Sequence, residues 1–377
     1  MYSEPANILA LVLPNFVRNS FDISSDNRTI DYFPDFLKNR LNNWISNYVN
    51  TLQPILDENV PFADGRKDAT ISKCKQLIQD INATVDLYFK GKILEATQLF
   101  NSSMDSIFKG IQKTSILFKE RQFFRSRLNS THKFLTRNEL FHIPFELRHL
   151  VSTNRYSIPG LPALYLGDLT YVCWEEGNRA KVRDIYFSRF SNTRELNIIE
   201  ITRFDDILKE ILEEKNDLLK IATILRYVVT FPLTLACTCK VKEQAGFFKA
   251  EYIIPQLLIQ YVSKQNDIDG IKFPSSKIDY SKLKELPAYN YVFPVKIIDV
   301  KGYCPVLKDS FVLTEPTSLE LEEVLYNPLH SQGVVFGSSS SLQASLELIP
   351  GVTSYYVNTS FGKIEQILRN RPVSRIN

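Results

Sequence analysis

Residues that could carry chemistry concentrate between Phe123 and Glu176, with one further segment ending at Ser275. Arginine presents a rigid fork of donors that suits phosphate groups, and tyrosine can stack on a nucleobase or a nicotinamide ring. A carboxylate can bind ribose hydroxyls and stabilise an oxocarbenium-like centre when a glycosidic bond opens. These residue types therefore favour an anionic, aromatic ligand. The segments are Phe124-Arg-Ser-Arg127, Arg155-Tyr-Ser-Ile-Pro-Gly160, Pro162-Ala-Leu-Tyr165, Trp174-Glu-Glu176 and Asp269-Gly-Ile-Lys-Phe-Pro-Ser275.

The order and spacing of these segments resemble the RES domain, a family named for its Arg, Glu and Ser residues. That family carries an aromatic-Arg-x-Arg segment, then Arg-aromatic before Pro-x-Gly, a Pro-x-x-Tyr-like strand, a helix bearing Glu, and a Gly-Ile-x-aromatic-x-Ser segment. Here the last of these is followed by Tyr291-Val-Phe-Pro294, and the resemblance covers residues 120 to 300. Ser157 stands where many members have Asn.

This resemblance implies an α+β domain related to ADP-ribosyltransferases, which binds NAD as substrate and cleaves its nicotinamide-ribose bond. It implies that either Arg125 or Arg127, together with Arg155, binds the phosphates. Tyr165 would contact the nicotinamide side, and Ser275 would lie in the same pocket. Characterised members include toxins neutralised by a partner antitoxin. The acceptor stays open among water, phosphate and protein, which would make the enzyme an NAD glycohydrolase, a phosphorylase or an ADP-ribosyltransferase; water is the default.

The catalytic glutamate is ambiguous between two neighbouring residues. An ungapped alignment from Tyr165 favours Glu176, whereas the apolar helix face around Cys173 and Trp174 favours Glu175. Neighbouring residues on a helix point about 100° apart, so only one of the two is expected to face a pocket. We carry both as candidates.

The secondary structure that must position these residues is predicted to change along the chain, from helices to a mixture of strands and helices. Apolar spacings of three and four predict helices over 32–55 and 68–113, with Leu77, Ile81, Leu99 and Ile107 on buried faces. Later segments are short apolar runs broken by Pro, Gly and Asn, which predict strands alternating with helices. We therefore predict a helical N-terminal region at 1–115, an α+β catalytic domain at 116–320 and a C-terminal extension at 321–377.

Composition narrows the remaining possibilities. Lys and Arg number 45 against 42 Asp and Glu, with no long basic run, so the sequence does not indicate nucleic-acid binding. The apolar run from Ile8 to Leu13 ends at Pro14 and is a poor signal peptide, and no uninterrupted apolar run approaches the roughly 18–20 residues of a membrane helix. We expect a cytoplasmic protein with no membrane segment.

The five cysteines are too scattered for a disulfide framework, which favours reduced thiols. Cys237 and Cys239 are expected on one face of a buried strand. The four histidines show no metal-ligand spacing, so we predict no metal site, and His142 is expected to be a packing residue. The serines from Gly337 to Ser341 lack the Gly-Lys pair of a phosphate loop and are interpreted as a turn or helix cap.

Two alternatives to an enzyme remain. The same pocket could hold a nucleotide without cleaving it, or the helical region 1–115 could carry an interaction function. The joint presence of Arg155, Tyr165, a glutamate and Ser275 favours the enzyme, because a decayed site would be expected to lack at least one of them.

Overall fold

The computed structural model describes residues 32–54, 64–110, 115–129, 133–326 and 344–376. The serine run at 337–341, together with His132 and His330, lies outside the described residues. The predicted α+β class is confirmed, because helices and a large mixed sheet both contribute.

Helices occur along the whole described chain, and one π-helical turn, Tyr48–Leu52, follows the first of them. The α-helices are α1 (Phe33–Asn47), α2 (Asp64–Phe89), α3 (Ile93–Gly110), α4 (Arg137–Leu140), α5 (Thr170–Glu176), α6 (Phe204–Glu213), α7 (Asp217–Cys237), α8 (Ile253–Lys264), α9 (Pro305–Ser310), α10 (Leu319–Tyr326) and α11 (Ser360–Arg369).

The strands of the described residues form two sheets. They are β1 (Ser115–Leu117), β2 (Gln122–Leu128), β3 (Ala163–Gly167), β4 (Ile185–Asn192), β5 (Leu196–Glu200), β6 (Gly270–Pro274), β7 (Leu283–Lys284), β8 (Tyr289–Pro294), β9 (Phe311–Leu313), β10 (Ser345–Ile349) and β11 (Val352–Tyr355). The larger sheet has the order β1-β5-β6-β8-β3-β2-β4-β9, and the smaller has the order β11-β10-β7. In the larger sheet only β5 and β6 pair in parallel.

The chain divides into two compact units that do not follow chain order. Counting described residues only, the first unit takes in those of Met1–Thr114, Asn154–Tyr156 and Ile201–Tyr261, and the second takes in those of Ser115–Thr153, Ser157–Glu200 and Val262–Asn377. The second unit begins at Ser115, next to residue 116, where the sequence predicts the change from helices to a mixture of strands and helices. The residues from 201 to 261 group instead with the N-terminal helices.

The first unit is helical because its apolar helix faces cover one another. Leu77, Ile81 and Ile107 are buried as predicted, and Leu99 is half-buried. The indole N–H of Trp44 donates to the Val228 carbonyl at 3.1 Å. These contacts bury helix α7 against the N-terminal helices.

The strand predicted around Cys237 and Cys239 is wrong. Phe231 and Cys237 lie within α7, and both cysteines are buried with free thiols. A long apolar run has the same appearance in a buried helix as in a buried strand, so periodicity alone did not separate them. Among the described residues, α7 also contains one stretch, Leu218–Cys237, that is long and apolar enough to cross a membrane. Its mean hydropathy is 1.5, and more than half of it is buried inside the protein.

The second unit is built on the larger sheet, whose two faces have separate cores. One face carries a cluster that includes Phe123, Leu164, Leu166, Tyr291 and Phe293. The other face packs against helices α5 and α11 through a cluster of Phe124, Cys173, Ile185, Phe187, Ile364 and Leu368. Because side chains alternate along a strand, Tyr165 and Gly167 of β3 lie on the second of these faces.

Candidate functional site

Strands β6, β8 and β3 are neighbours in the larger sheet, and their pairing determines which face of the sheet Tyr165 and Ser275 occupy. In the pairing of β3 with β8, Tyr165 is opposite Val292 and Gly167 is opposite Asn290. In the pairing of β6 with β8, Phe273 is opposite Asn290. Directly opposed residues share a face of the sheet, so Tyr165 lies on the same face as Asn290. Alternation beyond Phe273 places Ser275 on that face as well.

Helix α5 lies directly on this face because Gly167 has no side chain. A Cβ built at Gly167 would lie 3.1 Å from the Cys173 Sγ and 3.3 Å from a methyl carbon of Val172. The Cys173 thiol donates to the Phe124 carbonyl at 3.3 Å, which ties the helix to β2. The helix is therefore seated on the face of the sheet that carries Gly167, and Glu175 and Glu176 are its last two residues.

Glu176 is held by two polar side chains. The Asn290 amide donates to Oε1 of Glu176 at 2.7 Å. The Lys277 ammonium lies 3.7 Å from Oε2 of Glu176 and donates to the backbone carbonyl of Glu176 at 2.7 Å. The Glu176 side chain remains 36% exposed. The carboxylate is thus oriented by protein donors and still accessible to a ligand.

Ser275 lies beside the same lysine. Its hydroxyl oxygen accepts a hydrogen bond from the Lys277 backbone N–H at 3.1 Å, and the residue is buried. Lys277 therefore connects Ser275 to Glu176 within one small cluster, which we call the Glu176 cluster: Glu176, Ser275, Lys277 and Asn290.

Glu175 has a different environment, although it is the next residue. Its side chain is only 3% exposed. Oε1 accepts from the Tyr171 hydroxyl at 2.6 Å and from Nη2 of Arg179 at 2.9 Å, and Oε2 accepts from Nε of Arg179 at 2.8 Å. Burial and the adjacent carboxylate raise the pKa of Tyr171. The carboxylate of Glu175 is therefore buried, and both of its oxygens are engaged by Tyr171 and Arg179.

The two arginines of β2 contact backbone carbonyls. Arg125 donates to the carbonyl of Tyr165 at 2.8 Å, and desolvation, with the nearby positive charge of Arg127, lowers its pKa to about 10, so it stays protonated at neutral pH. Arg127 is exposed and donates to the Glu139 carbonyl at 2.6 Å. By alternation both lie on the face of Phe123, opposite the Tyr165 side chain. The Arg125 side chain therefore contacts β3 at the backbone carbonyl of Tyr165.

Arg155 belongs to the first unit. Its guanidinium donates to the Cys237 carbonyl at 3.1 Å and lies 5.1 Å from the centre of the Tyr252 ring. Within the second unit the structure brings together Glu176, Ser275 and the strand face of Tyr165. The phosphate-binding role of Arg155 stays a prediction.

Lys277 and Asn290 were not identified from the sequence. Lys277 follows the Ser275 motif by two residues, where a lysine is usually a solvated surface residue. Asn290 had a recognisable signal, because it is a polar residue within the fully buried strand β8. Buried amides need partners, so an Asn in such a run indicates a specific hydrogen bond.

His142 is a buried packing residue, as the sequence predicts. The Cys304 N–H donates to Nε2 of His142 at 2.9 Å, so the Nδ1–H donates to the Ile143 carbonyl at 2.8 Å. Burial lowers the pKa of His142 to about 4 and keeps it neutral. Among the described residues, no group of three or more His, Cys, Asp or Glu residues could hold a metal ion.

One relative matches most of the chain. Over 316 residues the chain is 32% identical to the Bacillus subtilis (strain 168) protein named "Putative toxin YopC", an alignment that covers 79% of this chain and 69% of the relative. No family model matches the chain, so the resemblance to the RES domain rests on the motifs alone. No solved structure matches significantly.

Proposed function

The chain belongs to the family of that Bacillus subtilis protein, and from this premise we propose that it is a toxin that hydrolyses NAD at the nicotinamide-ribose bond. The observation that carries the reaction is the Glu176 carboxylate, held by Asn290 and Lys277 on the face of the sheet that also bears Tyr165 and Ser275. Glu176, Tyr165 and Ser275 belong to motifs that occur in the order found in the RES domain.

The reaction requires little beyond positioning and a stabilising charge. The bond between the ribose C1′ and the nicotinamide nitrogen breaks, and its electron pair leaves with nicotinamide. Positive charge builds on the ribose, where an adjacent carboxylate stabilises it. Water then adds to C1′ and releases a proton, which gives nicotinamide and ADP-ribose.

Glu176 rather than Glu175 is the carboxylate assigned to this step. Both oxygens of Glu175 are engaged by Tyr171 and Arg179, and its side chain is almost fully buried. Glu176 shares one oxygen with Asn290 and is accessible. A carboxylate that must meet developing charge on a ligand needs that access.

Substrate contacts come from residues around the carboxylate. Tyr165 offers a ring for the nicotinamide side, and Ser275 would line the same pocket. Lys277 supplies a positive charge on the Glu176 side of the sheet, where it would contact the diphosphate, whereas Arg125 and Arg127 lie on the other face. The substrate would be cytoplasmic NAD, and a producing cell would need a neutralising partner protein.

Expression in bacteria tests the proposal directly. We expect induction of the wild-type chain to arrest growth, with cellular NAD falling before growth stops. Glu176→Gln should abolish both effects at equal protein level. The control Glu320→Gln makes the same chemical change at an exposed position on α10 and should remain toxic. Growth arrest with unchanged NAD would overturn the proposed substrate, and normal growth with stable NAD would overturn the toxin assignment.

A further inference from the structure

Helix α11, in the segment predicted as a C-terminal extension, contacts the first residue of the helix that carries Glu176. Oε1 of Glu365 accepts the Thr170 backbone N–H at 2.7 Å, the Thr170 hydroxyl at 3.0 Å and the Tyr356 hydroxyl at 2.6 Å. Glu365 is 2% exposed. One carboxylate oxygen therefore binds three donors from two segments of the chain.

Burial of the Glu365 carboxylate lowers the stability of the folded state. Burial raises the pKa of Glu365, which means that desolvation disfavours its charged form. Nη2 of Arg369 lies 3.4 Å from Oε2 of Glu365, and the Arg369 side chain is half exposed. An apolar residue would fill such a site at lower cost, but it could not accept the N–H that opens α5. The charge is favourable specifically there, because the first N–H groups of a helix lack partners within the helix.

Packing holds α11 in register with α5. The Phe361 ring lies 5.3 Å from the Trp174 ring and 5.6 Å from the Tyr171 ring, both of which are on α5. Gly362 allows the close approach of the preceding turn, because a Cβ there would lie 2.3 Å from the Tyr356 carbonyl oxygen. The position of Glu365 is therefore fixed from both sides.

We propose that Glu365 is a positioning residue, which fixes the start of α5 and so sets the Glu176 carboxylate against Asn290 and Lys277. This inference rests on the proposed function for its catalytic consequence. Thr170 and Glu176 are six residues apart, which is about 9 Å along a helix. A small rotation at the first residue moves the last one, and a displacement of about 1 Å at a reacting group can cost about 100-fold in rate.

Two substitutions separate positioning from bulk stability. Glu365→Ala removes the acceptor, and we expect kcat for NAD cleavage to fall about 10- to 100-fold while KM changes less than about 3-fold. Glu365→Gln keeps an oxygen that can accept the Thr170 N–H, and it should restore most of kcat. Leu307→Ala, in the core on the other face of the sheet, is the control, because it should lower stability and leave kcat of the folded protein unchanged.

Hydrogen exchange tests the same inference without any reaction. In the full-length protein, Glu365→Ala should speed amide exchange across Thr170–Glu176, whereas Glu365→Gln and Leu307→Ala should leave it near the wild-type rate. If wild-type protein cleaves no NAD but this exchange pattern is found, the proposed function fails and the positioning role stands. Unchanged exchange in Glu365→Ala, or equal losses of kcat in Glu365→Ala and Leu307→Ala, would overturn the positioning role.

Discussion

Glu176→Gln should lower the rate of NAD cleavage about 100- to 1000-fold, or about 3–4 kcal/mol of transition-state stabilisation. Glutamine preserves the size of the side chain and can still accept the Asn290 amide, but it removes the negative charge opposite the developing ribose cation. NAD binding should change much less, since the positive charge of Lys277 remains available to the diphosphate. The measurement is nicotinamide release by the purified variant at saturating NAD.

Glu175→Gln is the matched control, because it makes the same change one residue away. It removes the buried negative charge that pairs with Arg179, and we expect a stability loss of only about 1–2 kcal/mol, because the Arg179 side chain is itself more than half exposed. The folded variant should keep its turnover. A Glu176→Gln variant with near wild-type turnover, or a folded Glu175→Gln variant that is equally inactive, would remove the assignment of Glu176.

Phe123→Ala should have the largest effect on stability, with a loss of about 3–5 kcal/mol in the second unit. Phe123 is fully buried, and its ring lies 4.9 Å from the Tyr291 ring and 6.2 Å from each of the Phe293 and Phe311 rings. Truncation leaves a cavity between these three aromatic side chains. Whole domains are stable by only about 5–15 kcal/mol, so this loss is a large fraction of the total. The denaturant concentration at the unfolding midpoint should therefore fall strongly in the variant.

Phe118→Ala provides the comparison for that measurement. Phe118 is 73% exposed, so its removal should change the denaturation midpoint very little. Equal shifts for the two variants would show that the aromatic cluster does not stabilise the second unit, and the sheet would then need a different account of its core.

Local patterns predicted much of the fold. The helices over Leu77, Ile81 and Ile107 follow from apolar spacing, and β3 follows from a short apolar run ending at Gly167. These patterns depend on neighbours within a few residues, which the sequence displays directly. The glutamate register did not follow, because both Glu175 and Glu176 lie on the last turn of α5. Their difference comes from Arg179 and Asn290, and the second of these is distant in the chain.

The remaining features depend on long-range contacts. Residues 201–261 group with the N-terminal helices through contacts such as Trp44 with Val228, which no local pattern reveals. Glu365 contacts Thr170 across almost 200 residues, so the segment predicted as a C-terminal extension gave no sign of its link to the Glu176 helix. The polar residues at such sites break local patterns, and tertiary partners explain them.

Incubation of the purified full-length protein with NAD, followed by identification of the products, tests the central claim most directly. We predict nicotinamide and ADP-ribose in equal amounts, formed at a rate that falls about 100- to 1000-fold in Glu176→Gln. Intact NAD after prolonged incubation with folded protein, alone and with phosphate or cell protein added as acceptor, would contradict the account.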